Sequence, residues 1–242
     1  MNTKLYPTDT ASRWQLANNR GVFFAYADII NHNSTHFKYL AACLDESLHE
    51  SVQIIEFRRF GLGELYYFDA KGARTYVSET EEAQTLLRFK KDYLTRHPAF
   101  IDFNFLLQDC RNRTQEEIST RLDKAIAIQS AYPDLVRGYD LVGEEDRGHS
   151  LLYHRQSLMR GFNISWPDSG RFAYYLHCAE TSWPQDVVTT VSNLYDAIAF
   201  RSRRIGHALG LIKHPALYER LRQSRVAIEV CPASNHILGE KN

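Results

Sequence analysis

Short runs of branched and aromatic residues recur along this chain, and stretches with apolar positions every three or four residues follow them. The first period predicts strands and the second amphipathic helices. Strands are predicted over 52–58, 100–107, 135–142, 171–177, 204–207 and 226–231. Helices are predicted over 35–49, with Phe37, Leu40, Ala41, Leu44 and Leu48 on one face, and from Ser78 to about Arg96, where Ser78 and Glu81 make a capping box. Thr114 opens another, with Ile118, Leu122, Ala125 and Ile126 inward, and Glu117 is placed to complete its cap. Further helices are predicted over 150–161, over 187–200 with Val191, Leu194, Tyr195 and Ile198 inward, and from His214 to about Arg222. The Gly- and aromatic-rich stretch 60–78 suggests a hairpin, and 1–20 a polar lead-in. The apolar run 21–30 leaves strand and helix both open.

Strands alternating with helices imply right-handed crossovers and a parallel sheet, an α/β fold. The later repeats have the size of a barrel β/α unit, roughly 25–35 residues. The length of 242 residues suits an eight-unit barrel, yet only six strands are legible. We expect one domain over 1–242, with a lead-in and helix over 1–50 and β/α units over 51–242.

Composition narrows the function classes. The chain is 44% hydrophobic and 24% charged, an ordinary balance for a chain with a sizeable core. Lys plus Arg equal Asp plus Glu at 29 each, so charge favours neither nucleic acid nor an anionic membrane surface as a partner. No apolar run reaches the roughly 18 residues of a membrane helix, and residues 1–7 carry no signal-peptide core. The cysteines, Cys43, Cys110, Cys178 and Cys231, form no C-x-x-C pair. Sequons at Asn33, Asn112 and Asn163 matter only for a secreted protein.

Candidate chemistry sits at strand C-terminal ends, where α/β folds gather it. Those ends carry Glu56 and Arg58; Gly143, Glu144 and Glu145; His177 and Glu180; His207; and Ser234 with Asn235. His177 and Glu180, three apart, could be a metal ligand with a proton donor, or a strand-end His beside a neighbouring carboxylate. The motifs go further. Residues 176–181, Leu-His-Cys-Ala-Glu-Thr, resemble the L-H-A-G-E-T of adenosine deaminases. Residues 204–208, Arg-Ile-Gly-His-Ala, resemble R-I-G-H-G, and 229–235, Glu-Val-Cys-Pro-Ala-Ser-Asn, resemble E-V-C-P-x-S-N. Residues 138–146 and 55–58 are similar to motifs of one branch, the secreted adenosine deaminase growth factors.

The resemblance covers about residues 14–238 and implies a (β/α)8 TIM-barrel of the metal-dependent hydrolases, here incomplete, with strands 2 to 7 present. It implies one zinc ion and hydrolysis of adenosine, or deoxyadenosine, to inosine and ammonia. By resemblance His177 is a zinc ligand, Glu180 the acid that protonates the purine N1, and His207 the group that orients or deprotonates the attacking water. Gly143 would lay its backbone against the purine N3. A purine nucleoside partner, a homodimer and an extracellular location come with the branch. The departures carry weight too. The family's H-x-H and D-D-P ligand motifs occur nowhere in these 242 residues, and Ala179 and Ala208 stand where the family has glycine. His32 and His36, at a helix start, read as surface residues. The expectation is that this chain alone is inactive, as a piece of the enzyme or as a non-enzymatic, growth-factor-like relative.

Overall fold

The structure is a computed structural model that describes residues 27–145, 148–166, 170–180, 188–224 and 226–238. Two helices open it, α1 (Ala27–Ile30) and α2 (Asn33–His49). The run left open over 21–30 is thus helical where described, and 21–26 lie outside the described residues. Helix α2 starts on His32, whose ring accepts the Ser34 N–H, and ends in a two-bond C-terminal turn. Ser51 there has φ 63°, with its N–H on the Leu48 carbonyl and the Val52 N–H on that of Ser47. This left-handed position suits glycine, because a Cβ crowds the following carbonyl. Ser51→Gly is therefore expected to raise stability by about 0.5–1 kcal/mol in urea unfolding, since Ser51 is exposed and loses no packing.

Six parallel strands follow in chain order. They are β1 (Ile54–Arg59), β4 (Asp102–Cys110) and β5 (Val136–Val142), then β8 (His177–Cys178), β9 (Arg204–His207) and β10 (Ala227–Glu229). Each trio forms a parallel sheet in the order β1-β4-β5 and β8-β9-β10. A parallel bridge from Tyr139 to Tyr174 joins the trios into one arc. Between the strands run α3 (Glu79–Arg96), α4 (Gln115–Ala131), α5 (Arg155–Phe162), α6 (Val188–Ala199) and α7 (Pro215–Ser224). The predicted hairpin is present as β2 (Tyr66–Phe68) and β3 (Arg74–Tyr76), and a two-residue pair, β6 (Ser165–Trp166) and β7 (Gly170–Arg171), follows α5. Thr114 and Glu117 make the full capping box, whereas at Ser78 the hydroxyl accepts the Glu81 N–H. Among the described residues no helix is long and apolar enough to cross a membrane.

The predicted faces are mostly buried. Leu40, Leu44, Ile118, Leu122, Ala125 and Leu194 join one cluster with the outward strand residues Phe103, Phe105, Leu107, Tyr139 and Leu141. Tyr195 does not join it; half of it is exposed, and Ala197 is buried on that helix instead. His36 is likewise buried, contrary to its surface reading, and donates Nδ1–H to the Ile30 carbonyl at 3.1 Å.

Two strand predictions change. The run 171–177 is interrupted: Arg171 pairs antiparallel with Ser165, and Tyr174 makes an isolated bridge with Tyr139. The ladder with β9 begins only at His177, where side chains take up the N–H groups of Leu176 and His177. Ser202 Oγ accepts the Leu176 N–H at 3.0 Å, and Asp140 accepts that of His177 at 2.9 Å. Strand 226–231 stops at Glu229, and Pro232 begins helix α8 (Pro232–Leu238), since proline suits a first helical turn where its missing N–H costs nothing.

Candidate active site

The arc curls until its two ends meet through charged side chains. Arg58 on β1 donates to Glu229 on β10 at 2.5 Å, and Arg204 on β9 pairs with Glu56 on β1 and with Glu229 at 2.8 Å. The other arm of Arg58 holds Asp140 on β5 at 2.7 Å. Inside the arc, Leu106, Ala173 and Tyr175 form a small apolar layer under this network, with the Arg204 guanidinium over the Tyr175 ring.

His177 stands at the C-terminal end of β8 and is held twice by Asp140. One carboxylate oxygen takes its backbone N–H, and the other lies 2.6 Å from Nδ1. A carboxylate accepts only, so Nδ1 carries a hydrogen towards Asp140 and Nε2 is the ring nitrogen left unengaged by it, as in a metal-binding histidine held by a carboxylate. Asp140 is fully buried; burial alone would raise its pKa, but His177 and Arg58 outweigh it and bring it to about 2. A Cβ on Gly206 would sit 3.0 Å from His177 Nδ1, so β9 carries glycine where this ring packs.

His207 ends β9 with its ring centroid 4.9 Å from that of His177. Its Nε2 lies 3.2 Å from Glu180 Oε1, and its Nδ1 lies 3.2 Å from Asn235 Oδ1 on α8. Asn235 also donates its Nδ2 to the Glu180 carbonyl at 2.9 Å. Burial, with His177 beside it, lowers the His207 pKa to about 4, and the Asn235 contact opposes this only in part. His177, His207 and Glu180 thus come together as the motifs anticipate. Gly143, with φ +99° at the end of β5, faces open space that a Cβ would enter only in a strained backbone.

The chain bends sharply here. Ala179, His207 and Ala208 have φ of 52°, 63° and 53°, left-handed values that disfavour a Cβ. Such strain persists only where surrounding contacts impose it. At Ala179 the contacts come from Glu145, whose fully buried carboxylate accepts the N–H groups of Ala179 at 2.9 Å and Glu180 at 2.7 Å. Asn193 Nδ2 donates to it as well, at 2.7 Å. At Ala208 the contact is its own N–H on the Cys178 carbonyl, at 3.0 Å. Arg111, also buried, donates to the His177 carbonyl at 2.7 Å.

Sequence reasoning placed Glu145 and Asn235 only among polar strand ends, and gave Asp140 no part in the site. Asp140 had a usable signal: a carboxylate inside a buried strand needs partners. Nothing in the sequence signalled that Glu145 would reach the turn after β8.

The matching family model is Adenosine deaminase, over residues 101–241. The chain belongs to the adenosine deaminase family. It is 30% identical over 222 residues to Adenosine deaminase 2 of Sus scrofa, covering 90% of this chain and 40% of that protein. With the Adenosine deaminase of Lutzomyia longipalpis it shares 30% identity over 237 residues, covering 98% and 43%. The chain therefore spans less than half the length of these relatives. Among solved structures, the adenine deaminase of Arthrobacter aurescens superposes with a TM-score of 0.66 at 15% identity, covering 94% of this chain and 62% of that one. A cog1816 amidohydrolase from Burkholderia ambifaria with bound Zn gives 0.64 at 14%, covering 88% and 52%. These show the fold, a partial barrel of the deaminase type.

A catalytic zinc takes at least three protein donors. Among the described residues no three His, Cys, Asp or Glu gather to hold a metal ion, so His177 has no companion ligands there and the set does not fit a zinc on its own.

Proposed function

We propose that the whole protein containing these residues hydrolyses the C6–amino bond of adenosine or deoxyadenosine, giving inosine or its deoxy form and ammonia. The observation that carries this reading is the buried Glu180–His207 pair, 3.2 Å apart, beside a histidine fixed by Asp140. In the reaction water adds across the purine C6–N1 bond and ammonia leaves. Glu180 supplies the proton that N1 gains, and His207 holds or takes a proton of the attacking water. Gly143 offers backbone beside which a Cβ would meet nothing within 4 Å among the described residues. Zinc belongs to this reading for the whole protein, where His177 would be one donor of several and the ion would supply acidification of a bound water. An extracellular location and a homodimer accompany the likeness to Adenosine deaminase 2.

The test is conversion of adenosine to inosine by the whole protein supplied with zinc, beside its Glu180→Gln variant. Conversion that survives the substitution undiminished overturns the proton-transfer role of Glu180 and with it the pairing to His207. The 242-residue chain alone is expected to convert no more than its own Glu180→Gln control.

A second reading, a nucleoside-binding or growth-factor-like relative without turnover, draws on Ala179 and Ala208, whose left-handed backbones are the kind that glycine relieves. Saturable adenosine binding by the whole protein with no inosine formed would favour it.

A further inference from the structure

We infer that Asn235 fixes the protonation pattern of the Glu180–His207 pair, keeping a proton on His207 Nδ1 so that the proton the pair exchanges lies between His207 Nε2 and Glu180 Oε1.

The Glu180 carbonyl has no choice of role. It can only accept, and it takes the Asn235 Nδ2 at 2.9 Å. Turning the amide over would set oxygen against oxygen, so Nδ2 stays on that carbonyl and Oδ1 faces His207. Oδ1 in turn only accepts, so His207 Nδ1, 3.2 Å away, must bring the hydrogen. The neutral tautomer with hydrogen on Nε2 is thereby excluded. Two states remain, a neutral ring facing a protonated Glu180 or an imidazolium facing its carboxylate. Both place one proton on the same 3.2 Å line.

Asn235 is therefore a positioning residue that acts through His207. It reaches both partners from α8, an element separate from the turns that carry them. The tautomer follows from hydrogen bonds alone, whereas its use in proton transfer to a purine rests on the proposed deaminase activity.

The experiment is nitrogen NMR of the 242-residue chain labelled in its histidine rings, with the His207 signals assigned by their loss in His207→Gln. The wild-type chain should show His207 Nδ1 protonated. Asn235→Ala should move hydrogen to Nε2, which then donates to Glu180. Asn235→Asp, which keeps an acceptor for His207 Nδ1 while giving up the donor to the Glu180 carbonyl, should restore the Nδ1 signal. A wild-type His207 with bare Nδ1, or an Asn235→Ala chain of unchanged pattern, overturns the inference. If the alanine variant fails to fold, the wild-type and aspartate spectra decide it. Because this readout needs no turnover, an inactive whole protein with the Nδ1–H pattern would overturn the function and leave this inference standing.

Discussion

Glu145→Ala is expected to lower the stability of the chain by about 3–5 kcal/mol, as for other buried charged partners removed alone. The carboxylate accepts from Ala179 N, Glu180 N and Asn193 Nδ2, and all three residues are buried. Alanine would leave those donors with neither water nor protein to accept them, and Arg111 would lose its nearest described carboxylate, 4.0 Å away. Glu145→Gln should cost less, about 1–3 kcal/mol, because one oxygen remains while the new NH2 group confronts a donor. Urea unfolding followed by circular dichroism measures both. An alanine variant within 1 kcal/mol of wild type would mean that the turn after β8 is held by something other than this carboxylate.

Acidification should destabilise the chain in two stages. His36 is held down to about 4 by burial, with the Arg59 charge adding to it and the Ile30 contact opposing. His207 is held to about 4 by its own burial and by His177 beside it. A histidine with a depressed folded pKa stabilises fully above its unfolded value, near 6.5, because the unfolded chain then has no protonation advantage. As pH falls from about 6.5 to 4 the unfolded state takes up protons first, and about 2–3 kcal/mol per histidine is lost. Asp140 behaves in the usual carboxylate sense. Its folded value of about 2 gives stability that persists above the unfolded value near 3.8 and disappears as pH falls towards 2. Urea midpoints between pH 7 and 4.5 should therefore drop steeply; His154, also lowered by burial, adds to the slope, and His36→Gln should remove only a part of it. A flat profile over this range would contradict the burial assigned to both rings.

Much of the site was legible because its residues fall in contiguous motifs at strand ends. The strand-turn stretch from His177 to Glu180 and the Arg204–His207 strand each carry their chemistry within a few residues. Pattern alone also fixed α4, where Thr114, Glu117 and the Ile118–Leu122–Ala125 stripe agree with one another. Tyr195 and His36 defied their patterns for a shared reason. Sequence spacing sets which residues share a helix face, while the neighbouring elements decide how much of that face is covered.

The sequence by itself determined the alternation of strands and helices, the parallel sheet that alternation requires, and the family to which the chain belongs. Local periodicity and short motifs encode these because they depend on neighbours along the chain. Only the tertiary structure decided what holds Glu180 and the two histidines in register. Asp140 reaches His177 across 37 positions, Glu145 reaches Glu180 across 35 and Asn235 reaches Glu180 across 55. Contacts of that separation leave no periodic trace, because each depends on how whole β/α units pack side by side. Folding brings Asp140, Glu145 and Asn235 to the strand ends where His177, Glu180 and His207 stand.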